Sequence, residues 1–117
     1  MKVSIILASY DSGHYHGGCG QGPDALMAGG LAEALKLAGH DNERFPIVLA
    51  GNCLTSAGAV AGEGADAIIW ADQHGDINTP DTSTSGFLDG MALATVLGLC
   101  WRPMTAQIPG FKPIDPA

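Results

Sequence analysis

Positive charge is scarce in this chain. Five Lys and Arg stand against twelve Asp and Glu among 117 residues, a formal net charge of −7. A nucleic-acid binder needs a basic face to engage phosphates, so nucleic-acid partners are not expected; an acidic protein attracts cations, including metal ions. Cysteine is also sparse. Cys19, Cys53 and Cys100 are odd in number and far apart, unlike the disulfide framework of a small secreted domain. No apolar run approaches the length of a membrane span. The opening MKVSIILAS carries one lysine, a short apolar run and a weak cleavage pattern, so it reads as a first buried strand in a cytoplasmic protein with no membrane contact. Charged residues make up only 15% and hydrophobic residues 46%, which excludes a disordered tail and permits one small core, hence a single domain over 1–117.

Strand and helix patterns alternate along the chain. Val3 to Ala8 is a β-branched apolar run of strand length, followed by a Gly- and His-rich loop to Gly22. Pro23 suits a helix start, Ala25 to Leu37 is rich in Ala and Leu, and Gly39 suits a stop. His40 to Arg44 is a polar link. Phe45 to Leu49 reads as a second strand, Thr55 or Ser56 to about Gly62 as a short helix, and Ala65 to Ala71 as a third strand. Met91 to Leu99 reads as a buried helix, apolar almost all the way round. Residues 101–117 hold four prolines and read as a Pro-rich extended tail, with a short strand near Thr105 to Ile108. This order predicts an α/β fold with three layers, α/β/α, around a small parallel sheet. Ligands of such sheets bind beyond the carboxyl ends of the strands, where the polar clusters Tyr10–Gly22, Gly51–Cys53 and Asp72–Asp89 fall. Exposed sheet edges recruit further chains, so a homo-oligomer is expected.

The densest chemistry lies in IIWADQHGDINTPDTSTSGFLDG, residues 68–90. An apolar run stops at Asp72-x-His74-x-Asp76, and a loop of Gly, Pro, Ser, Thr and Asn follows. Alternate residues of an extended segment project to one side. Two carboxylates and an imidazole would then converge, a set suited to a divalent ion such as manganese or zinc. An acidic turn after a strand is the plainer alternative, since Asp and Gly favour turns. His14, His16 and Cys19 make a second cluster; without a fourth ligand they read as pocket lining rather than a zinc site. Trp70, Cys100 and Met91 read as core residues.

Three stretches carry a resemblance: Asp72-x-His74-x-Asp76-x-Asn78-Thr79-Pro80 with Ser83-Thr84-Ser85-Gly86 and Gly90-Met91; Gly20-Gln21-Gly22-Pro23-Asp24-Ala25-Leu26; and Leu49-Ala50-Gly51-Asn52-Cys53. As a set they resemble the arginase–agmatinase (ureohydrolase) superfamily, over most of the chain from Met1 to about Gly110. The resemblance implies part of the arginase fold, a dinuclear manganese site, and hydrolysis of a guanidino or amidino C–N bond with release of urea. It implies Asp72, His74 and Asp76 as metal ligands, Asp72 bridging, and Asp72 and His74 as part of the catalytic machinery. Asn78, Ser83 and Ser85 match positions that hold the amino-acid end of a guanidino substrate. Cys53 stands where a metal-binding histidine is usual, and a softer thiolate shifts preference toward zinc or iron. Asp89 stands where a proton-shuttling histidine is usual, which makes it the candidate for acid–base work. Family members are roughly twice as long or more. Their second aspartate cluster has no counterpart in this sequence, and a span is missing near Gly39 to Phe45. These departures leave an alternative: a non-catalytic, oligomerising ureohydrolase-like remnant that binds metal or partner chains without turnover.

Overall fold

The computed structural model describes residues 3–11, 14–40 and 45–116; positions 41–44 of the polar link lie outside them. The chain divides into two compact units, Met1–Asn52 and Cys53–Ala117. The class is α/β with a small parallel sheet, as the alternation of patterns predicts.

In the first unit, strand β1 (Val3–Ala8) leads into a small antiparallel hairpin, β2 (Tyr10–Asp11) with β3 (His14–Tyr15). A 3₁₀ turn at Gly18–Gln21 follows, then helices α1 (Gly22–Ala28) and α2 (Leu31–Leu37), and then strand β4 (Phe45–Ala50). Strands β1 and β4 pair in parallel, from Val3 opposite Phe45 to Ala8 opposite Ala50, and α1 packs on both. Parallel neighbours need such a crossover, because a tight turn cannot reverse the chain and then restore its direction. The single helix expected over 25–37 is in fact two. Gly30 adopts φ 90° and caps α2, a left-handed conformation that interrupts the ladder at little cost only for glycine. Gly39 ends α2 as expected: its N–H bonds to the Lys36 carbonyl and the His40 N–H to that of Leu35, which satisfies the last carbonyls of the helix.

In the second unit a 3₁₀ turn (Cys53–Thr55) runs into helix α3 (Ser56–Glu63). A second 3₁₀ turn (Asp89–Met91) leads into helix α4 (Ala92–Val96), and α5 (Arg102–Thr105) follows. Ala57, Val60, Val96 and Ile114 form a core, with Ile68, Leu97, Ile108 and Phe111 packed against it. The expected third strand, Ala65 to Ala71, is absent: the segment pairs with no strand among the described residues. Its apolar composition meets the core through Ala65 and Ile68, while Ile69 is 95% exposed. Residue type favours a strand, but only a partner's backbone makes one. The helix expected over 91–99 stops early at Gly98, φ 70°, where the Leu99 N–H reaches the Ala94 carbonyl and the Gly98 N–H that of Thr95. The tail is not wholly extended. Arg102–Thr105 makes a helical turn with Pro103 in its first positions, where a fixed φ and a missing N–H cost nothing. Thr105 to Ile108 is therefore helix end and turn, not strand.

Two glycines of this unit should respond oppositely to alanine. A Cβ at Gly98 would sit 2.7 Å from the Pro113 Cβ, at a left-handed φ; Gly98→Ala should cost about 1–3 kcal/mol. Gly58 lies in α3 with open space around its Cα; Gly58→Ala should gain about 0.5–1 kcal/mol. Urea denaturation midpoints of the two variants check both signs.

Candidate metal centre

The loop from Asp72 to Asp89 is held at both ends by its own backbone. The Asp76 carbonyl accepts the N–H of Ala94, and the Asn78 N–H donates to the Gly90 carbonyl. The first bond satisfies an N–H in the opening turn of α4, where no intrahelical acceptor exists. Asp76 is 8% exposed and sits at φ 46°, a left-handed conformation that aspartate tolerates better than most residues. Within the loop, Thr82 Oγ1 accepts the Thr79 N–H and lies 3.3 Å from Asn78 Oδ1. Ser83 Oγ accepts the Gly86 N–H at 3.0 Å and Ser85 Oγ the Phe87 N–H at 3.2 Å. These short side chains close turns against their own backbone, as hydroxyl-rich loops do.

Three donors converge here: ligand atoms of Cys53, Asp72 and Asp76 all lie within 4.8 Å of one another. His74 is not among them. The segment bends at 72–74 and turns left-handed at Asp76, so the alternation of an extended strand does not hold. His74 Nδ1 instead lies 3.2 Å from Asp72 Oδ1, and the same oxygen accepts the His74 N–H at 2.8 Å. His74 Nε2 lies 3.2 Å from Gln73 Nε2. An amide nitrogen can only donate, so Nε2 accepts and Nδ1 carries the hydrogen that faces Asp72. The ring is 68% exposed.

The charge around Cys53 is lopsided. Burial, then the Asp76 carboxylate that its thiol meets, then Asp89 and Asp72, push this thiol up to about 11 from 9.0. Asp72 moves the other way: the His74 N–H at its carboxylate holds it below the ordinary aspartate value, with help from the His74 ring. A thiol kept protonated by surrounding carboxylates is a donor set short of positive charge, and a divalent cation fits that deficit. Asp89, 8% exposed, accepts the N–H of Leu54 on Oδ1 at 3.2 Å and so ties down the turn that carries Cys53.

Beside the trio lies a cavity of about 480 Å³, lined among others by Cys53, His74, Asp76, Asn78, Ser83 and Ser85. Asp89 and Phe87 also line it. Phe87 has no role in the sequence reading; the one signal for it there is a lone aromatic in a polar loop, and the structure leaves it 56% exposed. A smaller cavity of about 260 Å³ in the first unit, flanked by Glu33, Lys36 and His40, gathers no comparable donor set among the described residues.

A family model described as the arginase family matches residues 30–112. The chain belongs to the arginase family. It is 43% identical over 74 residues to an arginase of Bacillus caldovelox, covering 60% of this chain and 24% of the relative. It is 35% identical over 94 residues to arginase-1 of Oryctolagus cuniculus, covering 77% and 27%. With arginase-1 of Mus musculus the identity is 26% over 162 positions, covering 98% of this chain and 50% of the relative. That alignment is longer than the 117-residue chain, so the mouse protein carries residues inside the aligned span that have no counterpart here. The chain spans between about a quarter and a half of the length of these arginases. No solved structure matches the chain significantly.

The proton on Cys53 gives a pH prediction. An unfolded chain releases it near 9.0 and the folded chain near 11, so between these values the folded state binds more protons and stability falls as pH rises. In metal-free protein, site-resolved alkylation of Cys53 should accelerate only as pH nears about 11, and Asp76→Asn should bring the inflection down. Removing the Leu54 acceptor is a separate test. Asp89→Ala should cost about 1–3 kcal/mol in thermal or urea unfolding, and Asp89→Asn, which keeps an acceptor oxygen, clearly less.

Proposed function

We propose that this chain carries a metal-dependent hydrolytic site of the arginase type, acting on a guanidino or amidino C–N bond with release of urea. The observation that supports it best is the convergence of Cys53, Asp72 and Asp76 beside a cavity lined by Asn78, Ser83 and Ser85. In this reading Asp72, Asp76 and Cys53 hold the ion, and His74 acts with Asp72. When bound, a divalent ion supplies a Lewis acid and a water molecule of lowered pKa. Family resemblance implies manganese, two ions in the complete site, with zinc or iron as the alternatives.

The residues of the chain divide the remaining work. The Asn78 amide and the Ser83 and Ser85 hydroxyls line the cavity and suit the ammonium and carboxylate of an amino-acid-like substrate. Their loop bonds hold the hydroxyls in place, which lowers the ordering cost on binding. Phe87 provides an apolar wall. His74 lines the same cavity and hydrogen-bonds Asp72, so it can pass a proton between the reacting group and solvent. Asp89 is the second acid–base candidate; its bond to Leu54 also gives it a positioning role. We extend the proposal to a homo-oligomeric, cytoplasmic protein organised as one shortened ureohydrolase-like domain, since a two-stranded sheet leaves backbone edges that recruit further strands.

One observation favours a second reading, a non-catalytic remnant. The described residues hold a single donor trio, whereas a dinuclear site commonly uses about six protein ligands. Elemental analysis of the purified protein, its solution mass, and urea release from guanidino compounds separate the two. The hydrolase reading expects bound divalent metal and urea formation that Asp76→Asn lowers by at least about 100-fold. Bound metal with no urea from any guanidino compound would assign the chain to the remnant.

A further inference from the structure

We propose that the Cys53–Asp72–Asp76 trio selects a thiophilic divalent ion, zinc in the first place, over manganese. This inference rests on the metal centre proposed above and names the ion it takes.

The argument starts from the donors. One of the three converging ligand atoms is a sulfur, and the other two are carboxylate oxygens. Manganese favours a six-coordinate shell of oxygens, whereas zinc accepts sulfur and oxygen in a four-coordinate one. Three protein ligands with one position left open is the usual arrangement of a catalytic zinc. Here the open side is available: Cys53 is half-buried and Asp76 buried, while Asp72 is exposed.

The supports of the trio are built to keep the sulfur in place. The Asp89 carboxylate holds the turn of Cys53–Thr55 through the Leu54 N–H. The Ala94 N–H holds the backbone of Asp76. Both bonds fix backbone, so the Cys53 sulfur and the Asp76 carboxylate reorient only by side-chain rotation. Donor atoms of a tetrahedral zinc site lie roughly 3.3–3.8 Å apart, given zinc–sulfur and zinc–oxygen distances of about 2.3 and 2.1 Å. Atoms already within 4.8 Å of one another need contract by at most about 1–1.5 Å, within side-chain rotation. On binding, the Sγ–H bond breaks as the metal–sulfur bond forms, and one proton per chain passes to the buffer.

The test uses the 117-residue chain, reduced and metal-free. Zinc and manganese are titrated calorimetrically and cobalt(II) by absorption, in the unmodified protein and in the Cys53→Ser, Cys53→His and Cys19→Ser variants. The expected result is a sulfur-to-cobalt charge-transfer band that persists in Cys19→Ser and vanishes in Cys53→Ser and Cys53→His. The zinc-to-manganese affinity ratio should fall by at least about tenfold in Cys53→Ser, with manganese affinity nearly unchanged. Circular dichroism confirms that each variant folds, and Cys53→His keeps a ligand at the position if Cys53→Ser does not fold. Ion binding without that band, and with an unchanged ratio, overturns the inference and leaves a carboxylate-held metal centre standing. Failure of all three ions to bind overturns the metal centre itself.

Discussion

The candidate site depends on one backbone hydrogen bond, from the Ala94 N–H to the Asp76 carbonyl. It joins the start of helix α4 to a long polar loop. An amide in the first turn of a helix has no partner inside that helix. Asp76 supplies one, and in doing so adopts a left-handed backbone and buries its carboxylate. The bond from Asn78 to Gly90 then closes the loop two residues further on. Asn78, Ser83 and Ser85 line the cavity because this loop is tied at its ends and braced internally by its own hydroxyls.

The electrostatic consequence follows from the same anchoring. With Asp76 buried beside Cys53, and Asp89 committed to the Leu54 N–H, negative charge accumulates around a thiol. An isolated protein has to leave that proton in place, since ionising the sulfur there would add another anion to a low-dielectric setting. A cation reverses the balance, because it neutralises the carboxylates and replaces the proton. The chain is acidic overall, and the scarcity of Lys and Arg leaves few side chains to do the same. Membership of the arginase family gives this arrangement its context, and the sulfur donor gives it a chemistry of its own.

Much of the first unit was legible in the sequence. Val3–Ala8 and Phe45–Ala50 form strands where β-branched runs predict them, and Gly39 stops a helix. These features follow from residue type over a few neighbours. Gly30 was equally local but easy to misread, since a glycine inside an Ala- and Leu-rich run is tolerated in a helix until its φ turns positive. Ala65–Ala71 shows the opposite failure. Its composition favours a strand, yet no strand pairs with it among the described residues, and composition does not encode the presence of a partner.

The sequence by itself determined the α/β class, the family through its Asp-His-Asp and Ser-Thr-Ser-Gly run, and the loop in which the chemistry resides. All are properties of consecutive residues. Tertiary structure alone decided which side chains meet. The spacing of Asp72, His74 and Asp76 implied three ligands on one side of an extended segment. The bend at 72–74 and the left-handed Asp76 break that alternation, and His74 meets Asp72 instead of the converging trio. Cys53, far earlier in the chain, takes its place because a bond between Asp89 and Leu54 brings that turn in. A contact across 35 positions of sequence is set by packing and by the need to satisfy buried polar groups, and no local pattern of residues records it.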